Sequence, residues 1–227
     1  MSSNIPVLTL DGPSGVGKGT VCLLVAKKLG WHILDSGSLY RLLALSAGDN
    51  VDLGNVSQLA GLARDMQIEY VTSGGALGIY LRGENVSEAI RTEATGVLAS
   101  KIAAIPEVRQ ALLDKQKAFA QAPGLVADGR DMGTTVFPEA ALKIFLTASA
   151  EERAKRRYKQ LKEKGVSANL SQLTVELQER DERDSTRSAS PLLAADDAIV
   201  IDTSTLSIDE VCAQVMQLVE QRFKLKV

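Results

Sequence analysis

The chain has 227 residues, a hydrophobic content of 45%, a charged content of 24% and a formal net charge of −2. This composition is that of an ordinary globular protein with enough chain to bury a large core, and it gives no electrostatic reason to expect binding to nucleic acid or a membrane surface. No apolar run approaches the roughly 18 residues of a membrane span, and the first residues lack a signal-peptide pattern. Two cysteines in helical apolar patterns, Cys22 and Cys212, predict buried free thiols and a reducing cytoplasmic location.

The first unit is an apolar strand over residues 5–10, a glycine-rich stretch and a helix from about Lys18 to Leu29. Glycines allow successive backbone N–H groups to point at one anion, and the positive end of the helix dipole adds to that field. The order strand, glycine-rich loop, helix therefore predicts a phosphate-binding loop for a nucleoside triphosphate, with Lys18 reaching the phosphates. The predicted ATP-binding residues are Gly12, Pro13, Ser14, Gly15, Val16, Gly17, Lys18, Gly19 and Thr20.

The end of this loop departs from the general pattern, in which a hydroxyl residue follows the lysine. Gly19 occupies that position, and Thr20 comes one residue later. A contact between Thr20 and Mg²⁺, direct or through water, is therefore left open. No other side-chain ligand for a metal is predicted, because Mg²⁺ usually binds through phosphates, waters and few carboxylates.

A second strand, residues 31–34, leads into a polar segment, residues 35–41, that begins a helix. From Gln67 the apolar period changes to two, which predicts a hairpin around residues 73–75 that ends in a turn at residues 83–85. A hairpin inside a series of strands and helices predicts a small inserted subdomain. Its exposed location would suit a mobile substrate clamp.

The rest of the chain continues this alternation. Helices are predicted over residues 87–103 and 106–120, from a capping box at Ser149 and Glu152 to about Glu163, over residues 171–187, and after a capping box at Ser207 and Glu210. Strands are predicted over residues 125–127, 142–146 and 198–201. Five strands with intervening helices predict a parallel sheet with ligands beyond its carboxyl edge, where residues 12–20, 35–41 and 128–131 would form one site.

Arginines are concentrated in two helical patterns, at Arg153, Arg156 and Arg157, and at Arg180, Arg183 and Arg187 with Asp184. Each set lies on one helical face, which suits phosphoryl transfer, because its transition state needs positive charge more than a protein nucleophile. A solvated basic helix and an exposed helix rich in ion pairs are the ordinary alternatives.

Two further arginines, Arg41 and Arg130, follow the carboxyl ends of predicted strands. That position suits the binding of an acceptor monophosphate. The alternative is a structural salt bridge to Asp35, Asp128 or Asp131.

Four stretches together resemble the bacterial cytidylate kinase family: residues 11–20, 35–41, 127–134 and 179–184. The resemblance covers nearly the whole chain. It implies a P-loop NTPase-type α/β/α fold with a central parallel five-stranded sheet, formed by residues 1–60 and 101–227. It also implies a monophosphate-binding insert at residues 61–100 and a helical lid at about residues 151–166. One departure is Ser38, where a small apolar residue or threonine is expected, and we interpret it as a change that the surface tolerates.

The resemblance implies transfer of a phosphate from ATP to CMP or dCMP, with Mg²⁺. From the sequence we also expect a monomer that binds neither nucleic acid nor membrane, since the net charge is small and nothing in the chain argues for an oligomer. The resemblance implies that Arg180 and Asp184 meet the ribose and that Arg109 donates to cytosine, while Ser100 and Asp131 accept. From the residues alone, Tyr40 could equally be a core residue. The implied catalytic residues are Lys18, Arg130, Arg153 and Arg157. The implied substrate-binding residues are Ser36, Tyr40, Arg41, Ser100, Arg109, Arg130, Asp131, Arg180, Asp184 and Arg187.

Two alternatives stay open at this point. A P-loop kinase for another acceptor, such as UMP, dTMP or shikimate, would use the same phosphate chemistry. A nucleotide-binding regulatory switch would need further motifs of the Asn-Lys-x-Asp and Asp-x-x-Gly type, and the chain has neither.

Overall fold

The computed structural model describes residues 5–48, 51–73, 76–163 and 165–225. In chain order the strands and helices are β1 Val7–Asp11, α1 Lys18–Leu29, β2 His32–Asp35, α2 Ser36–Ala47, α3 Val56–Asp65, β3 Ile68–Ser73, β4 Ala76–Leu81, β5 Glu84–Asn85, α4 Glu93–Ile102, α5 Pro106–Lys117, β6 Leu125–Asp128, β7 Leu142–Thr147, α6 Ala150–Glu163, α7 Leu170–Thr186, β8 Ile199–Asp202 and α8 Ile208–Phe223. A 3₁₀ turn at Ala89–Arg91 precedes α4, and a π-helical turn at Met132–Val136 follows β6.

The main sheet has the order β2-β6-β1-β7-β8, and every neighbouring pair is parallel. The predicted parallel five-stranded sheet is therefore confirmed. Its register places Asp128 beside Leu10 on one side and beside Asp35 on the other. The polar segments that follow β1, β2 and β6 thus meet at one edge of the sheet, as parallel strands require.

Apolar side chains leave both faces of this sheet, since successive strand residues point to opposite sides. Leu34 and Leu125 pack with residues of α2 to α5, whereas Leu8 and Val126 pack with residues of α1 and α8. The resulting three layers, helices on both sides of a central sheet, confirm the expected fold class.

The predicted hairpin is present as β3 and β4, which pair antiparallel with Tyr70 opposite Ile79. The two central glycines of its turn, Gly74 and Gly75, lie outside the described residues. The prediction of a turn through residues 83–85 is wrong in part. Arg82 and Gly83, both with positive φ, reverse the chain early enough for Glu84–Asn85 to form β5 against β4.

Two helical predictions also need correction. The structure contains α3, which the sequence reading missed, with the side chain of Asn55 accepting a hydrogen bond from the backbone N–H of Gln58. The single helix expected over residues 87–103 is broken at Thr92, whose backbone is extended. The Thr92 hydroxyl accepts from the N–H of Thr95 and begins α4, which is the usual behaviour of an N-cap threonine.

The two predicted capping boxes have different outcomes. The box of Ser207 and Glu210 is confirmed in both directions. At Ser149 only half of it forms, because the Ser149 N–H donates to Ser204 Oγ at 3.2 Å. The hydroxyl still accepts from Glu152 N at 3.2 Å, so α6 begins where the sequence predicted.

Three remaining expectations can be compared with the fold. Cys22 and Cys212 are buried free thiols, as predicted. Ser38 is only 1% exposed, so the view of it as a change that the surface tolerates is wrong. Within the described ranges, no helix is long and apolar enough to cross a membrane.

Candidate active site

The loop between β1 and α1 is held open by backbone conformation. Gly12, Gly15 and Gly17 have φ values of +144°, +83° and +97°, which side-chain-bearing residues rarely adopt. A Cβ atom on Gly12 would lie 2.1 Å from the carbonyl oxygen of Leu146. In the described chain, the loop N–H groups of residues 14–17 find no backbone acceptor, which leaves them available to an anion.

Lys18, the first residue of α1, is buried at the base of this loop. Its Nζ donates to Pro13 O at 2.8 Å and lies 4.0 Å from Asp128 Oδ1. Burial lowers the pKa of Lys18, with Arg130 acting in the same direction. Burial raises the pKa of Asp128, and the charge of Lys18 opposes that rise. The pair therefore places a buried cation and a proton-binding carboxyl group where phosphates would arrive.

Asp11 joins the phosphate loop to the loop after β6. Its carboxylate oxygens accept from the N–H groups of Met132 and Gly133, each at 2.8 Å. Burial raises the pKa of Asp11 to about 6 against these two bonds. Asp131, the residue before Met132, is thereby fixed relative to β1.

A cleft of about 650 Å³ opens over the phosphate loop. Its wall is formed by that loop, the start of α2, the end of β6, α6, α7 and the start of α8. The cations that line it are Lys18, Arg41, Arg130, Arg156, Lys159 and Arg180. The structure thus gathers the predicted residues Lys18, Arg41, Arg130 and Arg180 around one space.

A second group of polar side chains is buried near this cleft and is centred on Asp131. The Asp131 carboxylate accepts from Arg109 and lies 3.5 Å from Arg187 Nη2. The guanidinium of Arg109 lies 5.6 Å from the centre of the Tyr40 ring, and burial raises the pKa of Tyr40 to about 12. The implied base-side residues Arg109 and Asp131 are therefore in direct contact.

Several buried polar atoms of these two groups have no hydrogen-bond partner among the described residues. They are Tyr40 Oη, Ser100 Oγ, Arg109 Nε, Arg180 Nε and Arg187 Nη2. Buried polar atoms are nearly always hydrogen-bonded in native proteins, so these five atoms, all on residues that the resemblance assigned to the substrate, are available to bind a ligand.

Asp184 connects the two groups of charges. It is 5% exposed, accepts from Arg130 Nε at 3.1 Å and lies 3.9 Å from Arg180 Nε. The alternative interpretation expected a salt bridge from Arg130 to Asp35, Asp128 or Asp131, and it is wrong about the partner, which is Asp184. Arg41 instead donates to the carbonyl oxygens of Ile90 and Thr92, at 2.7 and 3.2 Å.

Arg187, the last residue of the helix predicted over residues 171–187, lies one residue beyond the observed helix. Helix α7 ends at Thr186, and Arg187 has an extended backbone beyond it. Its Nε donates to Ser190 O at 2.7 Å, which holds the side chain towards Asp131. Arg183, in contrast, is on the exposed side and pairs with Glu179.

The arginines of α6 make internal contacts, so the alternative of a solvated basic helix is wrong for Arg153, which is 3% exposed. Its guanidinium donates to Ala148 O, to Ser14 O and to both oxygens of Asp181. Arg156 donates to Val16 O at 3.3 Å and to Thr203. These two arginines therefore hold α6 and α7 against the phosphate loop.

The third arginine of this set, Arg157, pairs with a residue outside the phosphate loop. It pairs with Glu93 at the start of α4, and its side chain is 34% exposed. This ion pair joins α6 to the predicted insert.

A scan against protein-family models matches "Cytidylate kinase" over residues 8–221. The chain belongs to the cytidylate kinase family. A curated cytidylate kinase of Photobacterium profundum is 54% identical over 227 residues, which is the whole of both chains. A cytidylate kinase of Aeromonas hydrophila is 55% identical and covers 98% of this chain and 97% of its own. Among solved structures, a shikimate kinase from Acinetobacter baumannii is 15% identical, covers 98% and 97% of the two chains, and has a TM-score of 0.47.

In this cytidylate kinase family member, the remaining site residues differ in how accessible they are. Thr20 is exposed and lines the cleft. Ser36 is buried, and its hydroxyl donates to Gln116 Oε1 at 2.8 Å, so only its lone pairs remain for a ligand.

Three acidic residues that shape this site, Asp11, Asp128 and Asp181, were not among the predicted catalytic or binding residues, although Asp128 belongs to the predicted polar cluster of residues 128–131. Asp11 and Asp128 each end a strand of the parallel sheet, which was a usable signal. Asp181 lies on α7 among many charges, and nothing in the pattern distinguished it from solvated neighbours.

Proposed function

We propose that this protein transfers the γ-phosphoryl group of ATP to CMP or dCMP and releases ADP with CDP or dCDP. The observation that carries the proposal is the buried, incompletely hydrogen-bonded group around Asp131, which adjoins the phosphate-binding cleft. Membership of the cytidylate kinase family and the name of its 54% identical relative support the same reaction.

The donor half of the site is the phosphate loop, with residues 12–20 around the ATP phosphates. The free N–H groups and Lys18 supply positive charge to the β- and γ-phosphates. Only glycine fits the Gly12 position, so the loop can approach the phosphates closely.

Mg²⁺ would neutralise charge on the phosphates during transfer. The described residues contain no group of three His, Cys, Asp or Glu side chains suited to a metal. The cation would be held mainly by phosphates and waters, and the Thr20 hydroxyl and the Asp128 carboxylate, which belong to residues that line the cleft, are the candidate protein ligands.

The acceptor half recognises cytosine by opposite hydrogen-bonding groups placed side by side. Cytosine presents an amino donor beside the acceptors N3 and O2. Asp131 and Ser100 can accept from the amino group, and Arg109 can donate to the acceptors. Uracil presents the reverse pattern at positions 3 and 4, so it would leave buried groups unpaired, which discriminates strongly.

The rest of the nucleotide meets the arginines between the two halves. Arg180 and Asp184 would hold the ribose, and Tyr40 and Ser36 would border the nucleoside. The phosphate of CMP would bind to Arg41 and Arg130, whose planar guanidinium groups can each form two parallel hydrogen bonds to an oxyanion, and Arg187 would face the substrate beside Asp131. Arg130 must then share or exchange its bond with Asp184.

Transfer would be completed by the arginines of α6. Arg157 would leave Glu93 and meet the transferring group, while Arg153 keeps α6 attached to the loop carbonyl of Ser14. No protein nucleophile is required, since positioning and charge stabilisation supply the catalysis. Closure over both nucleotides would exclude water, which prevents simple hydrolysis of ATP.

This proposal includes the division into a core of residues 1–60 and 101–227, an insert of residues 61–100 and a lid of about residues 151–166. The separate antiparallel sheet of β3 to β5 supports the insert. We further propose that the enzyme acts as a monomer on small nucleotides in the cytoplasm, which its free buried thiols support.

The test is the initial rate of ADP formation with ATP and Mg²⁺ against CMP, dCMP, UMP, AMP and dTMP. Strong preference for CMP and dCMP is expected. Activity mainly on another acceptor would retain the phosphoryl-transfer chemistry and overturn the roles of Ser100, Arg109 and Asp131. Binding of ATP without transfer to any of the five would overturn the kinase assignment.

A further inference from the structure

Two hydroxyl groups meet where the predicted insert joins the core. Ser38 lies in the first turn of α2 and is 1% exposed, and Tyr70 lies in β3 of the insert and is partly buried. Their oxygens are in direct hydrogen-bond contact. Both also approach the backbone carbonyl oxygen of Asp35, Ser38 Oγ at 2.7 Å and Tyr70 Oη at 3.0 Å.

Two hydroxyl protons serve these three contacts. Both hydroxyls can donate to the carbonyl oxygen of Asp35, and either of them can donate to the other. Burial raises the pKa of the Tyr70 phenol well above its ordinary range, so it keeps its proton at ordinary assay pH.

We propose that the hydroxyl pair of Ser38 and Tyr70 is a positioning element that fixes the insert against the acceptor half of the active site. The inference rests on the proposed function and extends it to residues outside the nucleotide-binding set.

The location of the pair explains how it would act on the acceptor. The first turn of α2 holds Ser38, and the next residues of the same helix are Tyr40 and Arg41. Arg41 donates to the carbonyl of Ile90 in the insert, and α4 of the insert contains Ser100. A shift of the insert relative to α2 would therefore disturb the contact of Arg41 with Ile90 and move Ser100 relative to the acceptor-binding residues of the core.

The ring of Tyr70 has a separate contact that does not need the hydroxyl. Its centre lies 5.1 Å from that of Phe119, beyond the end of α5. Tyr70→Phe removes only the hydroxyl and keeps this packing. Tyr80, on the neighbouring strand β4, provides a matched control, since its hydroxyl has no hydrogen-bond partner within the described ranges.

The experiment measures Kd for CMP and for ATP by calorimetry, KM for both, kcat and Tm, in wild-type protein, Tyr70→Phe, Ser38→Ala, the double variant and Tyr80→Phe. Tyr70→Phe is expected to raise Kd and KM for CMP about threefold to tenfold, the range of one intramolecular hydrogen bond, with the values for ATP unchanged. Ser38→Ala is expected to have a smaller effect, because Tyr70 can still donate to Asp35 O. The double variant is expected to match Tyr70→Phe alone, because both substitutions act on the same group of hydrogen bonds.

The outcomes separate this inference from the proposed function. Wild-type protein that does not phosphorylate CMP overturns the proposed function and the inference with it. With wild-type activity present, an unchanged Kd for CMP in Tyr70→Phe overturns the inference alone. Equal changes for CMP and ATP, or the same change in Tyr80→Phe, would show a general structural effect and also overturn it. Should Tyr70→Phe not fold, the selective rise in Kd for CMP is required of Ser38→Ala.

Discussion

The donor and acceptor halves of the cleft are held in shape by different means. The phosphate loop depends on backbone conformation, with glycines at positive φ and a close approach to Leu146. The acceptor half depends on buried ion pairs among side chains, above all Arg109 with Asp131 and Arg130 with Asp184. The first arrangement is set by neighbouring residues, whereas the second is assembled from distant ones. Substitutions in the two halves should therefore change the kinetics of the enzyme in different ways.

The largest expected effect is on the donor half, in Lys18→Ala. Loss of this cation should lower kcat roughly 10³-fold, the cost of removing one preorganised charge at a transferring group. The fold should survive, because Asp128 can bind a proton when its partner is gone. Steady-state kinetics and circular dichroism test this, with the exposed Lys27→Ala of the same helix as the control. Near-normal turnover would remove Lys18 from its assigned role.

The second-largest effect is expected for Asp131→Asn, which should weaken CMP binding in the acceptor half without changing ATP binding in the donor half. The substitution keeps the size of the side chain but leaves Arg109 and Arg187 without the carboxylate that they contact. KM for CMP should rise about 100-fold, with KM for ATP nearly unchanged. Asp197→Asn is the matched control, since Asp197 pairs with Lys143 and is exposed. Parallel rises in both KM values would contradict the division into two halves.

Within the acceptor half, Asp184→Ala should affect CMP and dCMP to different extents. CMP alone has a ribose 2′-hydroxyl, so kcat/KM for CMP should fall about tenfold further than kcat/KM for dCMP. Both should fall to some extent, because Arg130 also loses its partner. The exposed Glu182→Ala on the same helix should leave the ratio unchanged. Equal losses for CMP and dCMP would exclude Asp184 from ribose recognition.

The smallest effect is expected where the lid meets the insert, in Glu93→Gln. The variant weakens the ion pair that keeps Arg157 at Glu93, so Arg157 is freer to meet the transferring group. We therefore expect kcat/KM to rise about twofold to threefold at low salt, which is the size of effect expected for a partly exposed ion pair. High salt should abolish the difference by screening. Glu107→Gln, in the exposed first turn of α5, is the control. A fall in kcat/KM would mean that the ion pair assists closure instead of restraining Arg157.

Much of the fold followed from local sequence signals. Each strand of the main sheet is a short apolar run, and Gly17 and Gly30 mark the ends of α1. Where the helix predictions failed, a polar side chain makes a local hydrogen bond that the spacing of apolar residues does not reveal. Asn55 begins the missed α3 in this way, and Thr92 divides the helix expected after the hairpin.

The site was predictable to a different extent in each half. The phosphate loop is continuous in sequence, and its conformation follows from its glycines. The acceptor residues were named through the family resemblance, but their partners were not predictable. Arg130 and Asp184 are 54 positions apart, and several nearer carboxylates were equally plausible on charge alone. The choice among such partners depends on which carboxylate is buried beside the arginine, and the pattern of charges in the sequence does not reveal that.

The bond between Arg130 and Asp184 has a consequence for how this protein responds to ionic strength. Several cations in or beside the cleft already have a carboxylate neighbour: Arg130 has Asp184, Lys18 has Asp128 and Arg109 has Asp131. Much of their charge is thus balanced before a nucleotide arrives, and binding replaces internal partners by phosphate and base. The attraction at long range is correspondingly small. Added salt should therefore slow nucleotide association much less than it would at an open patch of arginines, where the full positive charge faces the solvent.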